Sequence, residues 1–164
     1  MTKNTKGFTL VELLAVIAII GILASIVVGG LQNARASGRD GKRISDIKNI
    51  QLHLALYYND NVKYPATLSL LAPTYMSVVP KDPKDNTTPY SYVAYATVSS
   101  QCSTPTKYHL GAITEVAKDS GLPSDDVDLA ANTTCVVADF YGASDNCNTG
   151  GISTPDKCYD VTNN

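Results

Sequence analysis

Apolar and polar positions divide the chain into three regimes. From Phe8 to Val28 nearly every residue is apolar, with Glu12 as the single charge. A helix over those 21 residues would span about 31 Å, the thickness of a bilayer's hydrocarbon core. Beyond Gly29-Gly30 the pattern becomes amphipathic. Ile44, Ile47, Ile50, Leu54 and Tyr57 recur at steps of three and four, one stripe of a helix reaching about Tyr58. Asn59-Asp60-Asn61 ends that pattern, and Tyr64-Pro65 forces an extended step. Thr67 is placed to cap a short helix through Leu71.

From residue 90 onward the period shortens to two. Tyr90–Thr97 and Tyr108–Glu115 alternate as strands, Thr134–Tyr141 reads as a third, and residues 157–161 as an edge strand. The predicted architecture is α+β: a long N-terminal helix whose first half spans a membrane, with a small antiparallel sheet packed on its second half. Residues 8–28 form the apolar segment, 29–58 a stem, and 59–164 a globular head with disulfide-bonded loops. Gly29-Gly30 has two readings, close helix packing or a weak point that melts.

Charge follows the same division. Residues 31–58 carry Arg35, Arg39, Lys42, Arg43 and Lys48 against Asp40 and Asp46, a net +3, which suits lipid headgroups. Residues 59–164 carry six Lys against eleven Asp and Glu115, a net −6. An acidic head argues against nucleic acid as its ligand. All four cysteines, Cys102, Cys135, Cys147 and Cys158, follow the apolar run, and none is spaced as a zinc pair. In an exported head their expected chemistry is disulfide formation. Three pairings exist. Cys102–Cys135 with Cys147–Cys158 is favoured, because the latter closes a short Gly- and Asn-rich loop.

Glu12 is the anomaly. A carboxylate within a membrane helix costs about 2.5–3.5 kcal/mol at the centre, so it needs a partner, and the run holds no Lys or Arg. A chain cut between Gly7 and Phe8 would supply one, because the new Phe8 ammonium would lie four residues before Glu12. An ordinary cleaved signal peptide fits less well, since "ASIVVGG" is a poor cleavage site and the run is long for a signal core.

The segment "KGFTLVELLAVIAIIGILASI" resembles the N-terminus of type IV pilins and type II secretion pseudopilins. The matching features are a basic leader ending in Gly7, then Phe8-Thr9-Leu10, then Glu12, then an apolar helix. "YP" after the long helix and "PKDP" before a Tyr-rich strand extend the likeness to about Tyr95. The helix-breaking Pro common in pilins and the Trp common after "DP" in major pseudopilins are both missing.

The resemblance implies a leader over residues 1–7, cleavage at Gly7-Phe8 by a prepilin peptidase that also N-methylates Phe8, and Glu12 as the acid that docks a subunit. It implies a homo-oligomeric filament built through N-terminal helices on a membrane assembly platform. The subunit would rest in inner-membrane lipid, head outside the cytoplasm, before entering a periplasmic or cell-surface filament.

No enzymatic activity is expected, since neither His53 nor His109 sits in a nucleophile constellation. No cofactor or metal site is predicted. Some pseudopilins bind calcium in a C-terminal loop. Asp139, Asp145, Asp156 and Asp160 are the nearest analogues here, but they lack EF-hand spacing, and turn chemistry accounts for them more simply. Asn86 and Asn132 begin N-glycosylation sequons in an Asn/Thr-rich chain. The alternative from another class is a monomeric, membrane-anchored ligand-binding module.

Overall fold

The computed structural model describes residues 7–96, 103–116, 147 and 158–163, with the side chains of 26–30 outside the description. The chain divides into two compact units, residues 1–36 and 37–164. One helix, α1, runs Leu10–Asn61 over 52 residues and continues through Gly29-Gly30 without a break.

In the second unit α1 buries one face. Ile47, Ile50 and Leu54 are fully buried, and Ile44 and Tyr57 pack at the margins, as the three- and four-residue steps require. The helix outlasts the predicted Tyr58 by one turn. It stops where Val62 adopts φ 56° and donates its N–H to the Tyr58 carbonyl at 2.8 Å. Asn61 Nδ2 closes the end by donating to the Tyr57 carbonyl at 2.9 Å. Tyr57 and Tyr58 then pack on head rings, Tyr75 and Tyr64, at centroid distances of 5.2 and 4.7 Å.

The short helix after Tyr64-Pro65 is a 3-10 turn, Leu68–Leu71, not an α-helix. Thr67 does not cap it with its side chain; its Oγ1 pairs instead with Ser69 Oγ at 2.8 Å. The turn serves to bury Leu68 and Leu71 in the core.

Three strands follow: β1 Ser91–Tyr95, β2 Lys107–Ile113 and β3 Cys158–Thr162, antiparallel in the order β1-β2-β3. Tyr92 faces Leu110 across the ladder, and Leu110 faces Val161. Alternation sends Tyr108, Leu110, Ala112, Tyr159 and Val161 into the core with α1. The opposite parity, His109, Cys158 and Asp160, is buried too, so β2 and β3 bury both faces. The expected strand over 134–141 lies outside the described residues.

Leu54 is the test of this core. Leu54→Ala should lower the stability of the 37–164 unit by about 2–5 kcal/mol, the usual cost of a leucine-sized cavity. Denaturant unfolding followed by tyrosine fluorescence would read it. A loss under about 0.5 kcal/mol, the range of a surface substitution, would show that α1 does not seat the sheet.

Candidate functional site

The first candidate is the turn at the start of α1. Thr9 precedes the helix and its carbonyl accepts the Leu13 N–H at 3.2 Å. Glu12 reaches back: its Oε2 accepts the Thr9 N–H at 2.8 Å and the Thr9 hydroxyl at 2.7 Å. Thr9 Oγ1 in turn accepts the Glu12 N–H at 3.3 Å. This reciprocal pattern is a capping box, which satisfies helix N–H groups that have no carbonyl partner. The carboxylate without a visible partner in the apolar run thus has one three residues away. The T-x-x-E spacing was the signal for it in the sequence.

Around this turn the surface is open. Phe8 is 86% exposed, and Leu10, Val11, Leu13, Leu14, Ile17 and Ile20 all lie in the exposed class. A Cβ placed on Gly7 meets nothing within 4 Å, so no neighbour among the described residues requires glycine there. Among the described residues no helix is long and apolar enough to cross a membrane. The Phe8–Val28 span expected from the sequence is met only in part, because α1 starts at Leu10 and the described side chains of the run stop at Ser25.

The second candidate lies in the 37–164 unit. Arg43, with 2% of its side chain exposed, gives Nε and Nη2 to the two oxygens of Asp82, both at 2.7 Å. Its Nη1 donates to Asp40 at 2.6 Å and to Glu115 at 2.9 Å. Arg39 Nε adds a second cation on Glu115 at 2.6 Å. Asp40 also accepts the backbone N–H groups of Glu115 and Val116, each at 2.9 Å. Beside this cluster, Lys42 and the Tyr90 hydroxyl bond Asp46.

The stem's arginines therefore do not all serve lipid headgroups: Arg39 and Arg43 bind carboxylates of their own unit. Burying a guanidinium demands paired acids, and the head supplies them. The sequence signal lay in spacing. Asp40 and Arg43 continue the Ile47–Ile50–Leu54 stripe at the same three- and four-residue steps, so they turn inward with it.

Charge states follow from these contacts. Arg39 and then Arg43 hold Glu115 down at about 2, against the opposing pull of burial. Burial pushes the Asp82 carboxyl up, but Arg43 and the Lys84 N–H outweigh it and hold it below its usual range. Burial likewise works against the charge on Arg43, and the bonds to Asp82, Glu115 and Asp40 overcome it, so its pKa is raised.

The remaining sequence candidates separate. Cys147 and Cys158 form the expected disulfide, with Cα atoms 5.1 Å apart, while Cys102 and Cys135 lie outside the described residues. Asp160 is not free for a cation: its Oδ2 sits 2.7 Å from His109 Nε2, both side chains fully buried. Asp139, Asp145 and Asp156 lie outside the described residues, and among those described no His, Cys, Asp or Glu group could hold a metal ion. His53 bonds the Asn49 carbonyl one turn back.

Comparison with known proteins fits this geometry. The prokaryotic N-terminal methylation motif matches residues 2–28, the leader, the capping box and the apolar run together. The type II secretion system core protein G of Pseudomonas aeruginosa is 33% identical over 112 residues, covering 58% of this chain and 78% of that protein. The chain belongs to the type II secretion system core protein G family. The family's protein from Dickeya chrysanthemi is 40% identical over 67 residues, and that from Escherichia coli K12 42% over 66. Those two matches cover 41% and 40% of this chain but only 44% and 46% of the relatives, so the chain spans under half their length. No solved structure was found to match it. Within the core protein G family, then, this member pairs the methylation motif with a head held to α1 by buried charge.

That buried charge makes stability depend on acid. The Glu115 carboxyl is held down at about 2, so its contribution is complete above its ordinary value of 4.5 and is lost as pH falls from there towards about 2; Asp82, also held below its usual range, loses its contribution in the same direction, as pH falls. Arg43→Ala should destabilise the unit by about 3–5 kcal/mol at pH 7, because it leaves Asp82, Asp40 and Glu115 without their shared cation. It should also flatten the acid limb of the stability profile. Thermal melts from pH 7 down to pH 3 would read both effects, and an unchanged acid limb in the variant would reject the assignment.

Proposed function

We propose that the chain is a structural subunit of a type II secretion or type IV pilus-like filament, and that it has no enzymatic role. The carrying observation is the methylation motif ending in an apolar helix that the fold leaves uncovered. The family membership supports the same reading. In this proposal the precursor rests in the inner membrane by its N-terminal segment, head outside the cytoplasm. A prepilin peptidase cuts between Gly7 and Phe8 and methylates the Phe8 amine. No packing among the described residues requires glycine at position 7, which supports placing the requirement in the peptidase's own site.

Glu12 then has two partners at different times. Before assembly the Thr9 capping box satisfies it, which lowers the cost of holding an acid among apolar neighbours. In the filament it meets the ammonium at Phe8 of an adjacent copy. That contact sets axial register, which a smooth apolar helix cannot set for itself. The assembly platform and lipid are the other partners of this reading, and nucleic acid is not among them.

Two measurements test the proposal. Mass spectrometry of the mature protein should give N-methylated Phe8 as the first residue. Glu12→Leu should still be cut and should accumulate in the membrane, since removing an acid from lipid favours insertion, yet form few filaments. Electron microscopy of sheared fractions, with membrane immunoblots, reads this. An intact Met1 on filament protein would sink the processing step, normal filament numbers from Glu12→Leu would sink the role given to Glu12, and a wild-type chain that forms no filaments would sink the proposal.

A further inference from the structure

Among the described residues of the 37–164 unit, two exposed apolar features stand apart from each other. One is a ridge on α1. Leu52 and Leu56 are 59% and 48% exposed, one turn apart, on the side of the helix opposite the buried Ile47, Ile50 and Leu54. The other is a groove of about 570 Å³ lined by Leu68, Val78, Val79, Pro80 and Tyr92, with Lys81 at its edge. The two share no residue. Core packing holds both within one unit, so neither can cover the other in the same chain. Exposed apolar surface alone is common on a protein, so what singles these two out is that they are complementary in shape and charge.

We propose that the groove takes the Leu52–Leu56 ridge of a second copy of this chain. The inference rests on the filament reading above and adds an interface that the N-terminal motif does not supply. Charge decides in favour of this occupant. Asp60 stands one turn beyond Leu56, exposed, with its carboxylate touched only by the Tyr75 hydroxyl at 3.1 Å among the described residues. Lys81, exposed at the groove, has no ion pair among the described residues. In this pairing the helix crosses the groove with its C-terminal end towards Lys81, so that Asp60 meets that neighbour's Lys81. A second copy therefore brings both the apolar filling and the missing counter-charge.

Geometry gives the contact a consequence. A ridge meeting a groove joins two different patches, so the contact is heterologous. Each copy keeps one free ridge or one free groove, and the contact propagates into a ring or a helical filament instead of closing as a dimer. A two-fold pairing of ridge with ridge would bury the leucines but leave every groove empty and Lys81 unpaired. Both leucines are exposed on α1, so changing them leaves the core intact.

Disulfide trapping in the full-length protein tests this. Leu56→Cys and Val78→Cys are made singly and together, expressed without wild-type copies, and oxidised in sheared filament fractions. Non-reducing gels should show a ladder of multimers from the double variant, with neither single variant exceeding the wild-type background. Dimers from Leu56→Cys alone would indicate ridge-on-ridge pairing and overturn the proposal. Filaments visible by microscopy but without a ladder would overturn the interface and leave the filament reading standing. If the wild-type chain forms no filaments, both fall. Charge exchange gives an independent reading. In the trapping background, Asp60→Lys and Lys81→Asp should each weaken the ladder, and the two together should restore it; a double variant no better than either single would overturn the pairing.

Discussion

The guanidinium of Arg43 is the point on which the second unit turns. It comes from the middle of α1 and is held by one carboxylate on its own helix, one from the segment between the 3-10 turn and β1, and one just after β2. Three stretches of chain far apart in sequence meet at one planar group, whose fork of donors fits the two oxygens of Asp82. Desolvating such a cation is costly, and an apolar cluster of equal volume would give comparable stability. What an apolar cluster would not give is direction. Leucines can slide along a helix, whereas the bonds to Arg43 fix where the Asp82 turn and the end of β2 attach. Asp40 adds to this by accepting two consecutive backbone N–H groups at Glu115 and Val116, so the chain leaving β2 is held at its backbone as well.

Periodic features were legible from sequence. The apolar stripe of α1 follows from the fact that one face must be buried and the other need not, and β1, β2 and β3 were legible from their two-residue alternation and turn-bounded runs, although β2 and β3 bury both faces. The Cys147–Cys158 pairing followed from the short loop between them. The chemistry of Arg43 was not read, because a positive stretch on a helix beside an apolar run looks like a lipid-facing stem when charges are only summed. The sum hides that Asp40 and Arg43 fall on the buried parity. Thr67 shows the converse error: a residue type suited to capping sits before a turn too tight to use its side chain, and its hydroxyl goes to Ser69.

Glu12 and Arg43 are two solutions to one problem, a charge held where apolar residues dominate. Arg43 is neutralised by acids that folding brings from a distance, so its charge is satisfied only when the head is complete. Glu12 is satisfied by its own helix turn, three residues away, before any partner arrives. The difference suits their surroundings. A buried tertiary pair is permanent, because breaking it strands an ion. A local capping box is exposed in the isolated chain and can be traded: its acceptor oxygens can turn to a stronger donor while the helix gives up only its first hydrogen bonds. A carboxylate with a later partner is therefore better kept in a cap than in a core. Under the docking role proposed for Glu12, its placement at the third position after Thr9, not deeper in the run, keeps the carboxylate in a cap that a later donor can take over.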